Sequence, residues 1–544
     1  MKTWLTLIIN FALLGIYAQG PTIQWQNCLG GTYTQFDSLI MCCLNTGDED
    51  FQKIRTTNDN GYILIGSAGS LNYDVIGNHG YTDIWVVKLN NSGNLLWQKC
   101  IGGSSYDYGF DIQQTTDGGY ILCGYTRSSD GDVIGFHGGN PYDPDNNNDI
   151  LVCKLSSTGV IQWIKALGGF SDDKGYGIKQ TLDGGFVVVG KTKSNNNGDV
   201  VGFTQGNGVY DYDAWAVKLN TTGTIQWSKC FGNIKNEYFN SIEQLNGGGY
   251  YFCGSSASFY GAGNHGKSDY WVVKSDLQGN FLWQKQFGGS LDDLNSTFRK
   301  TNNHGFLLTG HTFSFNGDVT QNNNINFDKC DVWSLNIDSL GNILWERSHG
   351  GTLNDYGSDI IPTSDGGYAI SAYTNSFNGD VSNNYGSGDG WMIKLNANGS
   401  TQWEKCFGGI EGDATNSILQ TNDGGFALAG LSNSDDFNGN VFGCHTGGMG
   451  QTDAWVFKLG PYNGLEDRDT KKISLYPNPT SSEITITSDK FTNEPYTLFD
   501  QMGRAVGSGE LNGTNTTISL STLSKGVYFL KVEGDYESAI VVKE

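Results

Sequence analysis

The chain has 544 residues, with 78 glycines, 8 prolines and 13% aromatic residues, and 33 Lys+Arg against 56 Asp+Glu give a formal net charge of -23. That balance leaves no basic footprint for nucleic acid and disfavours anionic membrane surfaces. The length exceeds one ordinary core and the composition is turn-rich rather than disordered, so an all-β repeat array or several domains is expected.

Residues 1–18 carry Lys2, an apolar run from Trp4 to Tyr17, and Ala18 before Gln19. They read as a signal peptide cut after Ala18 and too short to span a bilayer. No cysteine follows the cut directly, which argues against a lipid anchor, and no later run is apolar enough to cross. An exported, soluble product is expected, with no transmembrane segment in the mature chain.

From 19 to 460 one unit recurs. At 107–169 it comprises an alternating stretch, an Asp117-Gly118-Gly119 turn, a second stretch closing on glycine and a long Asn/Asp/Gly loop. An Asp-led third stretch, a Ser157-Thr158-Gly159 turn and a fourth stretch centred on Trp163 complete it. The fourth-stretch tryptophan recurs as Trp25, Trp97, Trp163, Trp227, Trp283, Trp345 and Trp403, at gaps from 56 residues (Trp227 to Trp283) to 72 (Trp25 to Trp97). The third stretch carries Trp85, Trp215, Trp271, Trp333, Trp391 and Trp455, with Leu151 in the second unit, so every tryptophan after the signal peptide is scaffold.

Four short strands per unit, seven times over, predict a seven-bladed β-propeller. The array begins on a fourth strand at 23–29 and ends on a third at 453–459, so the N-terminal strand is expected to complete the last blade and close the ring. Asn91-Ser92-Gly93 before Trp97, and Ser157-Thr158-Gly159 before Trp163, resemble the blade endings of Kelch and quinoprotein-type propellers, a likeness that bears on fold alone. With strands running outward from the channel, the short turns share one face. The long second-to-third loops lie on the other, where a ligand site is expected.

Two acids recur in every unit. Glu49, Asp107, Asp173, Glu237, Asp293, Asp355 and Asp413 enter the first strands; Asp83, Asp149, Asp213, Asp269, Asp331, Asp389 and Asp453 open the third. A lysine follows the latter by five residues, except at Asn336. They read either as a cation-binding ring or as turn caps accepting backbone N–H bonds. Seven copies favour caps, since one ligand rarely needs seven sites.

The long loops carry further candidates. Asp143, Asp145, Asn147 and Asp149 place oxygens at alternate positions and resemble a calcium loop, without its central glycine or distal glutamate, which makes calcium the candidate cofactor. His79, His137, His265 and His445 share one loop slot; metal binding or proton transfer is conceivable there, and polar turn residues are the simpler reading. The ligand-face candidates are His79, His137 and His445 together with Tyr142, Tyr210, Tyr212, Phe315 and Phe377. Nucleophile elbows, zinc-helix motifs and phosphate loops are missing, and nothing singles out a carboxylate pair for sugar chemistry.

Eleven cysteines leave at least one unpaired. Cys28, Cys100, Cys230 and Cys406 share one repeat slot, and Cys123 and Cys253 another, which other units fill with Ala, Val, Ile, Thr, Ser or Gln. Small buried side chains are the expectation, with bridges the alternative. Cys42 and Cys43 sit in an insertion of the first unit.

A polar linker, 461–472, precedes a different pattern at 473–544, whose alternating strands with Asn-Pro and Gly punctuation predict a small C-terminal β-sandwich. Its Tyr476-Pro477-Asn478-Pro479, Gly503-Arg504, Gly526-Val527-Tyr528 and terminal Lys543-Glu544 resemble the type A C-terminal sorting domain of the type IX secretion system of Gram-negative bacteria. The resemblance implies export, recognition by the type IX machinery and delivery to the outer cell surface or medium. It implies no activity for the cargo. The reading as a whole is a secreted binding or adhesion module taking a glycan or surface protein through the long-loop face. A polysaccharide-degrading hydrolase or lyase is the alternative, and a structural surface component the third.

Overall fold

The computed structural model describes residues 18–31, 48–138, 147–204, 211–244, 248–258, 265–301, 305–320, 322, 328–434, 439–444, 451–462, 474–500, 504–532 and 539–543. The chain divides into two compact units between Pro461 and Tyr462.

The first unit is built of seven four-stranded antiparallel sheets. Blades one to six occupy 49–101, 107–167, 173–231, 237–287, 293–349 and 355–407. Blade seven takes three strands from 413–459 and its fourth from Ile23–Leu29, which pairs antiparallel with Asp453–Leu459 in the register Ile23 to Leu459 and Cys28 to Trp455. Blade seven meets blade one: the Asn416 amide of its first strand donates to the Phe51 carbonyl at 3.0 Å, and the Glu49 N–H donates to Thr452 O, just before its third strand, at 2.9 Å. The phase offset read from the sequence therefore closes the ring.

Burial follows strand rank. Second and third strands such as Tyr62–Ala68 and Asp83–Leu89 are buried along their whole length, whereas first and fourth strands each expose one side. The six third-strand tryptophans are buried, and their indole N–H groups are satisfied across the blade, as in Trp85 to Gln98 at 2.8 Å and Trp215 to Ser228 at 2.9 Å. The fourth-strand tryptophans lie against the next blade: Trp25 on Tyr62 at 5.7 Å, Trp97 on Tyr120 at 5.9 Å, Trp163 on Phe186 at 5.8 Å. They also cover the third-to-fourth turn of that blade, where Gly93 and Gly159 have φ of 84° and 79° and no room for a Cβ beside the indole. Burying roughly 150–250 Å² per tryptophan is worth about 4–6 kcal/mol at ~25 cal/mol/Å².

The repeat lysine does not pair with the aspartate five residues before it. Lys88, Lys154, Lys218, Lys394 and Lys458 instead reach the acid of the short first-to-second turn, Asp59, Asp117, Asp183, Asp365 and Asp423, at 2.6–3.0 Å. Gly247 and Asn303 stand in that acid's sequence position in blades four and five. There Lys274 lies over the Tyr251 ring at 5.1 Å, and Asn336 donates to Tyr368. Cys28 departs from the expectation for its slot: Cys100, Cys230 and Cys406 are free, while Cys28 is bonded to Cys444. Among the described residues, Cys28 is the one of these four bonded to a loop cysteine.

A short N-terminal strand, Ala18–Gln19, runs parallel to the outer strand of blade six, Thr401–Phe407. Trp403 beneath it is 0% exposed, whereas the other six fourth-strand tryptophans keep a partly open edge.

The second unit is one five-stranded sheet. The long strand Glu483–Phe499 pairs along its length with Ala505–Ser519, its first half also with Ser474–Tyr476 and its second with Gly526–Val532. Ile484 and Ile486 from the first half share one core with Leu498, Tyr528, Leu530 and Val541.

Candidate functional site: the central channel

Each first strand carries a β-bulge at its fourth residue, marked by register shifts at the same place in all seven blades. Bulges re-aim side chains. Here Gln52, Phe110, Tyr176, Asn240, Ser296, Ser358 and Asn416 all line a central cavity of about 710 Å³.

The channel is chemically polarised. Towards the short-turn end, Asp359 receives the Arg299 guanidinium at 3.0 Å and Lys53 at 3.3 Å; Arg55 meets Asp111 at 3.0 Å, and Lys179 meets Glu243 at 2.8 Å. Burial would raise the Asp359 carboxyl, but Arg299, Lys53 and Arg55 hold it well below the usual carboxylate range. Burial, opposed by Asp359, pulls Lys53 down to about 8.

Towards the long-loop end, aromatic rings run in a continuous path from the rim inward. Tyr81 stacks on Tyr106 at 4.9 Å, Tyr106 on Tyr108 at 6.4 Å, and Tyr108 meets Tyr125 at 5.2 Å. Phe110 follows at 5.5 Å from Tyr125, then Tyr176 at 5.2 Å and Tyr238 at 6.5 Å. All seven rings are half-buried. Cations flank the path, with Lys174 4.9 Å over Tyr125 and Arg127 5.8 Å over Tyr106. Nearby, Lys191 lies 4.2 Å over Tyr212, whose hydroxyl donates to Asp172 at 2.9 Å. Half-open ring faces beside charged donors and acceptors are the groups that hold a sugar's apolar face and its hydroxyls.

Of the expected ligand-face residues, Tyr212 joins this cluster. Phe377 is 63% exposed and Phe315 half-buried, both on blades five and six away from the path. His79, His137 and His265 turn back onto Asp83, Asp149 and Asp269, with Nδ1 at 2.6, 2.9 and 3.4 Å and backbone N–H groups bonded to the same oxygens. The bond to Asp149 raises the His137 pKa above its ordinary value. His445, Tyr142, Tyr210, Asp143 and Asp145 lie outside the described residues; Asn147 and Asp149 lie within them, the latter held by His137. Among the described residues, no group of three or more His, Cys, Asp or Glu is arranged to hold a metal ion.

The repeated acids cap turns. Asp173 accepts from the Gly169 N–H at 2.7 Å and the Ser194 hydroxyl at 2.8 Å, and Asp107, Asp293, Asp355 and Asp413 repeat the pattern. Each also faces the third-strand aspartate of the preceding blade across a junction glycine. A Cβ on Gly102 would lie 2.5 Å from Asp107 Oδ2 and 2.7 Å from Asp83 Oδ1. Burial drives these carboxyls upward, Glu49 to about 8 and Asp173, Asp213, Asp293 and Asp389 to about 7.

Sequence reasoning missed the channel residues because it weighed what recurs. The usable signal was the reverse: first-strand slots that change chemistry from blade to blade, such as Lys53, Asp111 and Asp359 in one and Arg55, Lys179, Glu243 and Arg299 in another.

Residues 474–543 match the secretion system C-terminal sorting domain family. The C-terminal unit is a type IX sorting domain. It marks the propeller for export to the cell surface or beyond from a Gram-negative bacterium, and implies an interaction with the type IX machinery. Within the sorting domain, Tyr476 is 78% exposed beside cis peptides at Tyr476–Pro477 and Asn478–Pro479. Tyr528 is buried with its hydroxyl on Ser524 O at 2.7 Å, and Lys543 donates to Leu520 O and Leu523 O. Arg504 bonds Asp500 and Gly526 starts the fourth strand, while Gly503 lies outside the described residues.

The chain is 22% identical over 387 residues to the regulatory protein FlaEY of Caulobacter vibrioides, covering 64% of this chain and 39% of that protein. It thus spans about two fifths of the relative's length. Among solved structures it is similar to PorZ, a surface component of the type IX secretion system of Porphyromonas gingivalis, at TM-score 0.38 and 11% identity over 91% of this chain and 59% of that one. Drosophila Plexin A, solved with Semaphorin 1b, gives TM-score 0.38 and 10% identity over 81% and 88%. No helix among the described residues is long and apolar enough to cross a membrane.

Proposed function

We propose that this exported propeller is a surface binding module that takes a glycan chain through the long-loop mouth of its channel. The aromatic path from Tyr81 to Tyr238 carries this reading. It offers a run of half-open ring faces on one side of the mouth, flanked by Lys174, Arg127 and the Tyr212–Asp172 pair as hydrogen-bonding and charged partners. Stacking against sugar faces needs such surfaces, and every tryptophan after the signal peptide is engaged in the blades.

A glycan array probed with the full chain tests this. Binding is expected, with Tyr176→Ala and Tyr238→Ala weakening it about tenfold or more, the loss that accompanies ~1.4 kcal/mol. Retention of binding in both variants, or capture of a protein with no glycan bound, refutes the reading. Release of shortened sugar products would instead move it to the hydrolase or lyase alternative.

A further inference from the structure

On the opposite, short-turn face, a second cavity of about 520 Å³ opens between blades three and four, with Asp183, Lys218, Gln226, Trp227, Tyr250 and Gln278 among its walls. Its volume falls in the range of small-ligand sites, roughly 300–1,000 Å³. We propose that this junction is a binding site for a neutral saccharide, independent of the channel.

The local sequence explains why the cavity lies at this junction. A fourth-strand tryptophan packs on a second-strand aromatic of the next blade at several junctions, as Trp97 on Tyr120 and Trp163 on Phe186, and here Trp227 meets Tyr250 at 5.9 Å. In blades two and seven the residue before the tryptophan, Gln162 or Gln24, accepts a hydrogen bond from the third-strand lysine. In blade three Lys218 is bonded to Asp183 and to the Leu219 carbonyl, the counterparts of the bonds Lys154 makes to Asp117 and the Leu155 carbonyl beside its bond to Gln162. Gln226 is exposed, and none of the hydrogen bonds among the described residues occupies its amide. In the sequence position of the turn acid blade four carries Gly247 and blade five Asn303, while the other five blades carry aspartate, and Lys274 lies over the Tyr251 ring.

The chemistry of the walls selects the ligand. The Trp227 indole N–H is already given to the Leu277 carbonyl at 3.2 Å, so that ring offers an apolar surface rather than a donor. The two charges cancel, since Lys218 and Asp183 lie 3.0 Å apart. What remains beside the rings is amide: Gln226 and Gln278, both exposed, with Gln244 accepting from the Leu182 N–H at 2.9 Å and keeping its NH₂. Aromatic faces with amide donors and acceptors and no net charge match a molecule with apolar C–H faces, many hydroxyls and no charge. An anionic ligand finds no unpaired cation here, and a purely apolar one leaves the amides unanswered.

The test uses the full chain and four neutral probes, cellotetraose, laminaritetraose, xylotetraose and maltotetraose, by saturation-transfer NMR and calorimetry. At least one is expected to bind. Gln226→Ala and Gln278→Ala, both at exposed positions, should weaken it about tenfold when combined, while Tyr176→Ala in the channel leaves it unchanged. The inference is overturned if none of the four binds at millimolar concentration, or if binding survives the double glutamine variant. Loss in Tyr176→Ala overturns it too, by assigning the binding to the channel. Because channel and junction variants are read separately, failure here leaves the channel reading standing, and the converse.

Discussion

Cys28 and Cys444, 416 residues apart in the chain, are joined by a disulfide. Cys28 lies on the N-terminal strand that completes blade seven, and Cys444 on the loop of the same blade. The bridge thus fixes the seam at which the ring is closed, while Cys100, Cys123, Cys153, Cys253, Cys330 and Cys406 stay buried and free.

Cys28→Ser should therefore lower the unfolding free energy by about 2–5 kcal/mol, the usual loss for a native disulfide. Calorimetry with and without reductant checks it. The wild type should lose thermal stability on reduction and the variant should not.

The junction carboxyls set a pH dependence. Their pKa values are raised by burial, Glu49 to about 8 and Asp173, Asp213, Asp293 and Asp389 to about 7, so between the ordinary value near 4 and these values the folded state holds more protons than the unfolded one. Stability then falls as pH rises through that window. Melting should occur several degrees higher at pH 5 than at pH 8, and Asp389→Asn should raise the pH 8 value and flatten the slope. A melting temperature that climbs from pH 5 to 8 would sink this account.

Asp359 gathers Arg299 and Lys53 inside the channel. Removing one partner of a buried pair costs about 3–5 kcal/mol because a charge is left uncompensated. Arg299→Met should destabilise by that order in urea titration, with the triple variant Arg299→Met, Lys53→Met, Asp359→Leu, which removes the whole charge cluster, recovering most of the loss. Equal instability of both variants would assign the cost to packing.

Deletion of 473–544 should leave the propeller folded and trapped in the periplasm. Fractionation with immunodetection reads this directly; undiminished delivery to the surface would contradict the sorting assignment.

The ring was legible because the Asp-Gly-Gly turn recurs in several units and a glycine recurs four residues before the fourth-strand tryptophan, as in Gly93 before Trp97 and Gly159 before Trp163, and because a leading fourth strand has a single use. The disulfide was not, since Cys28 occupies a slot whose other cysteines, Cys100, Cys230 and Cys406, are free. Its partner is brought near only by closure of the ring. The channel chemistry was hidden for a different reason: a bulge, invisible in an alternating pattern, brings two successive residues to the channel wall, Gln52 with Lys53 and Phe110 with Asp111. The lysines of the third strands find their acid in the first-to-second turn of their own blade, a pairing that their spacing from the third-strand aspartates does not show.

Blade seven borrows its outermost strand from the opposite terminus, and this imposes an order on assembly. During synthesis 23–29 emerges before any of its partners and stays without a ladder until 453–459 has followed it. The propeller is thus complete only when nearly the whole of its own sequence has been translocated, and the sorting domain, which comes after, emerges onto a ring already able to shut.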